Sequence, residues 1–139
     1  MMNTFRLSSS LLSDARYDLR RPHAVAHERM GFFYCRAASL TNGMLILAEG
    51  YEPVAEENYV ADRSVGARMN SAAIRAAMQR ALTTRCSIFH VHLHDWLGTP
   101  TASSTDRREA RKFVPDFFNV SPTMPHGTVI LSGDSLTGW

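Results

Sequence analysis

Three histidines at alternate positions, His90, His92 and His94, are the residues in this chain whose spacing most suggests chemistry. They begin the segment HVHLHDWLGTPTASSTD, whose loop of small residues ends at Asp106. In a β-strand alternate side chains share one face, so two of these imidazoles can reach a single ion. Two imidazoles and one carboxylate leave a fourth zinc position open, as in catalytic sites. The spacing therefore predicts a zinc centre where a strand ends and a helix begins.

The sequence spacing of these residues leaves two questions about the zinc centre open. A His-x-His pattern is also typical of a polar strand that faces solvent and binds no metal, with Val91 and Leu93 on the core side. A hydrolytic zinc site needs a carboxylate base as well. Glu28, in AVAHERMGFFYC, stands where a polar loop enters an apolar strand, but the chain has many other acids.

The elements that must position these residues alternate between strands and helices after an initial hairpin. We predict a mixed α/β fold, one domain over residues 1–139, with a central mixed sheet flanked by helices. The chain stops within the strand-like stretch HGTVILSGDSLTGW, as it would if the domain were truncated there. The predicted strands are residues 4–8, 28–40, 43–54, 86–94 and 126–134, and the predicted helices are 9–21, 70–85 and 104–118.

Composition limits the classes of partner. The formal net charge is +2 and the arginines are scattered, so nucleic acid is not a predicted partner. Cys35 and Cys86 lie in apolar, strand-like stretches and are predicted to be buried, reduced thiols. No segment has the apolar run of a signal peptide or a membrane span. These features predict a soluble, cytoplasmic protein without a membrane partner.

The same residues resemble a known family, the JAMM zinc metalloproteases (the JAB/MPN domain), and especially its prokaryotic branch associated with ubiquitin-like modification. The family pattern is a glutamate before an early strand, then His-x-His at a strand end, then Ser-x-x-Asp. Here Glu28 in HERMGFFYCR, His92-Leu93-His94 and Ser103-Ser104-Thr105-Asp106 match it. The segments before the histidines and after Asp106 are also similar, so the resemblance covers most of the chain.

The resemblance implies a cytidine-deaminase-like JAB/MPN fold and a role for each matched residue. His92, His94 and Asp106 would hold Zn²⁺, Glu28 would take a proton from the attacking water, and Ser103 would donate a hydrogen bond to the oxyanion. The family cleaves the peptide or isopeptide bond after the C-terminal glycine of ubiquitin or a ubiquitin-like protein. It further implies co-encoded activating and conjugating enzymes as partners in a bacterial pathway.

The sequence departs from the family pattern just after the second histidine. Asp95 replaces the usual proline, and the interval from His94 to Asp106 is one residue longer than the common spacing. The pair His90 and His92 would lengthen the interval further, so His92 and His94 are the preferred ligands. His90 is then predicted to be a hydrogen-bonded histidine in the core or behind the ligands, and Asp95 to face solvent.

Two other functions are compatible with the same residues. Related JAB proteins process sulfur-carrier proteins for cysteine or cofactor biosynthesis, and some MPN domains are scaffolds without catalysis. For the substrate, Trp96 is predicted to form the wall of a slot that excludes side chains, and Gly98 to leave room for a Gly-Gly tail. Tyr51 and Tyr59 are further aromatic residues that either grip the tail or pack locally.

Overall fold

Six β-strands, three α-helices and a short 3-10 turn make up the computed structural model, which describes residues 2–139. Polar side chains set the start of each helix: Ser8, Asn70 and Ser103 accept hydrogen bonds from backbone N–H groups of the first turns. The strands are β1 (Thr4–Arg6), β2 (Met30–Leu40), β3 (Gly43–Pro53), β4 (Ser87–Leu93), β5 (Gly127–Leu131) and β6 (Leu136–Gly138), and the helices are α1 (Ser9–Leu19), α2 (Ser71–Thr84) and α3 (Ser104–Val120).

The strands form one mixed sheet in the order β1-β3-β2-β4-β5-β6. β2 is antiparallel to both β3 and β4, whereas β4 and β5 are parallel and are connected through α3. The predicted α/β class is confirmed, and the two-residue turn Thr41–Asn42 closes the predicted β2–β3 hairpin. The predicted last strand was too long: β5 ends at Leu131, and a turn leads into the antiparallel edge strand β6.

Helices cover both faces of this sheet. α1 packs on one face, where Ala15 and Leu19 join an apolar cluster with Phe33 and Val91. On the other face α2 and α3 pack against Phe32 and Ile88. The histidine strand β4 therefore lies in the middle layer, and all seven of its residues are buried.

This layering rules out the alternative, left open by the spacing, that the histidine face of the strand faces solvent. Alternating polar residues are typical of a strand with one solvated face, but a parallel strand pair needs a crossover that covers that face. Here the crossover is α3, so His90 and His92 are 5% exposed beneath it.

Two further predictions concern cysteines and membrane spans. Cys35 and Cys86 are buried and free, as predicted. Among the helices of residues 2–139, none combines the length and the apolar character needed to cross a bilayer.

Candidate metal centre

The end of β4 and the start of α3 bring two imidazoles and a carboxylate to one point. The Nε2 atoms of His92 and His94 are 3.2 Å apart. Asp106 lies in the first turn of α3, with Oδ1 3.3 Å from His92 Nε2 and Oδ2 3.6 Å from His94 Nε2. The convergence follows from the β4–α3–β5 crossover, which sets the helix N-terminus over the carboxyl end of the strand.

The spacing of these three groups fits a shared cation. A tetrahedral site with metal–ligand bonds of about 2.0–2.1 Å holds its ligand atoms about 3.3 Å apart. The two imidazole Nε2 atoms are 3.2 Å apart, and each lies within 3.6 Å of one of the two carboxylate oxygens of Asp106. Imidazole nitrogen and carboxylate oxygen are also the donors that divalent metals such as zinc accept.

Glu28 reaches the same point from β2. In the antiparallel β2–β4 pair Met30 is opposite His92, so the residue two positions before Met30 comes level with the end of β4. A carboxylate oxygen of Glu28 and ring nitrogens of His92 and His94 all lie within 4.8 Å of one another. Glu28 is therefore placed either to ligate an ion itself or to act on a group held beside it.

The electrostatics of the two carboxylates differ. Burial alone would raise the pKa of Asp106, but the hydrogen bonds from His92 and the Ser103 backbone outweigh it and hold that pKa well below its usual range. Burial raises the pKa of the Glu28 carboxyl, and the neighbouring charge of Asp106 adds to the rise against an opposing contribution from His92. One acid is thus held as an anion while the other has a greater affinity for a proton, as an acceptor of protons requires.

Ser103 is the N-cap of α3. Its Oγ accepts a hydrogen bond from Asp106 N at 3.0 Å, and its own N–H donates to Asp106 Oδ2 at 2.8 Å, which is a capping box. The cap fixes the Asp106 carboxylate next to the histidines. The Ser103 side chain also hydrogen-bonds the Asp106 carboxylate, which contributes to the lowered pKa of that carboxyl.

Two residues that the sequence analysis did not identify fix Glu28. The carbonyl oxygen of Gly66 accepts hydrogen bonds from both His27 N, at 2.8 Å, and Glu28 N, at 3.1 Å. The buried Arg29 donates to the carbonyl oxygens of Arg21 and Pro22, each at 2.8 Å. Arg29 also pairs with Glu56, so the segment leading into β2 is anchored on both sides of Glu28.

The loop between β4 and α3 is tied to the turn between β5 and β6. Gly98 N donates to Asp134 Oδ1 at 2.8 Å, and Ser132 Oγ donates to the Gly98 carbonyl oxygen at 2.6 Å. Gly98 has φ +96°, a conformation that L side chains rarely adopt. Trp96 is 52% exposed and its ring packs on that of His94, with centroids 4.5 Å apart.

Three other residues considered from the sequence, Tyr51, Tyr59 and Asp95, are not part of the metal centre. Tyr59 is buried, and its hydroxyl accepts from Met30 N at 2.7 Å. The Tyr51 hydroxyl donates to Asp18. Both tyrosines thus pack locally, whereas the Asp95 side chain is 86% exposed and faces solvent as predicted.

The structure corrects the prediction that His90 is hydrogen-bonded. Its ring is buried, but within residues 2–139 neither ring nitrogen has a hydrogen-bond partner, so it is not the hydrogen-bonded histidine expected from the sequence. It packs on Phe113 and Phe32, with ring centroids 4.8 and 5.8 Å away. Burial lowers the pKa of His90 to about 3, which keeps the imidazole neutral.

A scan against protein-family models and a search of curated proteins found no match to this chain.

Proposed function

We propose that this protein is a zinc-dependent peptidase that cleaves after the C-terminal glycine of a ubiquitin-like protein, in conjugates or in precursors. The observation that carries the proposal is the convergence of His92, His94 and Asp106 at 3.2–3.6 Å, with Glu28 beside them. These residues also match the JAMM pattern in type and order. A non-catalytic scaffold would have no need for the base at this position.

The proposed roles follow from the placement of the side chains. His92, His94 and Asp106 would hold the zinc, which when bound supplies a Lewis acid that polarises a carbonyl and acidifies water. Glu28, whose pKa is raised by burial, accepts a proton from the attacking water and delivers it to the leaving amine. The Ser103 hydroxyl, beside the Asp106 carboxylate, donates a hydrogen bond to the oxygen that gains charge.

The first test is metal content. The purified protein is expected to contain one zinc per chain, measured by mass spectrometry of the metals, and His92→Ala is expected to lose most of it. His126→Gln is the matched control. His126 directly precedes β5 and is buried, but it is not one of the residues of the metal centre. Equal zinc in wild type and His92→Ala would show that the ligand assignment is wrong.

The second test is cleavage. The substrate is a ubiquitin-like protein fused through its terminal Gly-Gly to a reporter, with an unfolded protein as control. We expect cutting after Gly-Gly, inhibition by zinc chelators and no cutting by Glu28→Gln, which keeps shape and zinc but cannot accept the proton. Replacing the last glycine by leucine should block cutting. Equal cutting of all three proteins would rule out a selective peptidase.

A further inference from the structure

A cavity of about 220 Å³ extends from the metal centre into the protein, between α3 and the loop that precedes α2. Glu28, His92 and Asp106 line the end of the cavity that adjoins the centre. An apolar cavity of about 150 Å³ is large enough to hold a benzene ring. This cavity therefore has room for a large side chain next to the proposed reacting bond.

Away from the metal centre, the walls of the cavity are mainly apolar. Met30, Val65, Ile74 and Phe113 contribute to them, from β2, the loop before α2, α2 and α3. Met69 lines the cavity as well, and methionine side chains adapt their shape to what they contact. An apolar side chain that entered would displace water from these walls, which is favourable.

Two polar residues line the cavity without offering it a hydrogen bond. His90 and Thr128 belong to the lining, but both ring nitrogens of His90 and the Thr128 hydroxyl oxygen are closed off from solvent. An occupant therefore meets carbon atoms of these two residues. A polar side chain would lose its water there and gain no partner from them in return, which is costly.

The charged side chains at the rim of the cavity already have partners. Lys112 pairs with Glu109 at 2.8 Å, and Arg68 pairs with Asp62 at 2.9 Å. A charged side chain that entered would exchange its hydration for apolar walls, which is strongly disfavoured. The cavity therefore favours a neutral, apolar occupant.

The position of the cavity identifies the part of the substrate that can fill it. Under the proposed function the two residues before the scissile bond are glycines, which have no side chain to place there. In an extended chain the residue before Gly-Gly lies roughly 7 Å or more from the bond. Because the cavity begins at the residues proposed to act on that bond, the first residue after the bond is the one whose side chain can enter.

We infer that this cavity binds the side chain of the first residue after the scissile bond in a precursor, and that it prefers a large apolar side chain such as leucine. The inference rests on the proposed function. Each buried CH₂ group improves binding about four-fold, and leucine has three carbon atoms more than alanine. Asparagine has the branched shape of leucine with a polar tip, so it separates the effect of polarity from that of size.

Binding is tested without turnover. The zinc-loaded full chain, labelled at methionine methyl groups, is titrated by NMR with the tripeptides Leu-Ala-Ala, Asn-Ala-Ala and Ala-Ala-Ala, whose free amino group represents the leaving amine. We expect Leu-Ala-Ala to shift the signals of Met30 and Met69, which line the cavity, and to leave Met44, on the other face of the sheet, unchanged. Its Kd should be about five-fold lower, or more, than those of the other two peptides.

A variant places the leucine side chain in the cavity. Ile74→Ala removes part of the apolar wall and should at least halve the ratio of the asparagine Kd to the leucine Kd. Leu82→Ala is the matched control on the same helix, because Leu82 is 57% exposed and does not line the cavity; it should preserve the ratio. Equal dissociation constants for the three peptides, no shift at Met30 and Met69, or an unchanged ratio in Ile74→Ala would overturn the inference.

A cleavage experiment separates this result from failure of the proposed function. Gly-Gly fusions followed by leucine, asparagine or alanine should be cut with kcat/KM roughly ten-fold higher, or more, for leucine. Cutting that ignores this residue would contradict the assignment of the cavity alone. Leucine-selective binding at Met30 and Met69 without any cutting would contradict the proposed function and leave the apolar side-chain site in place.

Discussion

The Glu28 carboxylate occupies the space that a side chain at position 66 would fill, and only glycine at that position leaves room for it. A β-carbon at position 66 would overlap Glu28 Oε1, so no residue with a side chain fits there unless Glu28 moves. The Gly66 carbonyl oxygen also holds the Glu28 backbone through its N–H. Gly66 is therefore a positioning residue for the proposed base.

We expect Gly66→Ala to lower kcat by 10- to 100-fold while zinc content stays the same, because the carboxylate is displaced and the ligands are not. The measurement is steady-state cleavage together with metal analysis. Gly50→Ala is the matched control, since a β-carbon there approaches only the end of the Arg80 side chain, at 3.4 Å. If Gly66→Ala keeps wild-type kcat, Glu28 is not held by this contact.

The parts of the centre that are close in sequence were predictable. His92, His94 and Asp106 converge because one short loop joins β4 to α3, and Ser103 is a helix-capping residue recognisable from its spacing to Asp106. Glu28 is different, because it arrives through the pairing of β2 with β4. Residue types alone left it as one acid among many, and the family pattern singled it out.

Other features depend on packing that no local pattern encodes. Gly66 contacts Glu28 only because the loop before α2 folds back over the entry to β2. The histidine strand looked half-exposed because its alternation of polar and apolar residues is the usual sign of a solvated face. Whether α3 covers that face is decided by the topology, and the cavity beside His90 follows from it.

Ser103 is expected to serve both the fold and the reaction. Ser103→Ala should lose about 1 kcal/mol of stability through the missing cap and roughly 10²-fold in kcat through the missing oxyanion donor. Ser8→Ala is the matched control, because Ser8 caps α1 in the same way, accepting from Leu11 N at 3.1 Å. Thermal unfolding and cleavage kinetics separate the two effects. Equal kcat values for the two variants would remove Ser103 from the reaction.

His126 is expected to make stability depend on pH. Its Nδ1 accepts from Ile88 N at 3.0 Å, its Nε2 lies 2.8 Å from the Ser121 carbonyl oxygen, and burial lowers its pKa. A histidine whose folded pKa is lowered contributes stability above its unfolded pKa of about 6.5, and this is lost as pH falls below that value. The metal-free protein should therefore have a lower Tm at pH 5.5 than at pH 7.5.

His126→Phe tests this assignment. The variant should be less stable at every pH, because Ile88 N loses its acceptor, but its Tm should change less between the two pH values. The part of the dependence that remains is expected from His90 and His94, whose pKa values are also lowered by burial. An unchanged difference in Tm would show that His126 does not titrate in this range.

Trp96 is exposed and its ring contacts that of His94, so we propose that it forms a wall beside the reacting bond. We expect Trp96→Ala to raise KM for the Gly-Gly fusion several-fold with a smaller effect on kcat, because the contact serves substrate and transition state alike. The variant should also discriminate less: if wild type cuts the fusion whose last glycine is leucine roughly 100-fold more slowly, the variant should do so only about 10-fold more slowly. Leu97→Ala is the matched control, since Leu97 is 76% exposed in the same loop. A Trp96→Ala enzyme that still rejects the leucine fusion as strongly as wild type would show that another part of the cleft selects glycine.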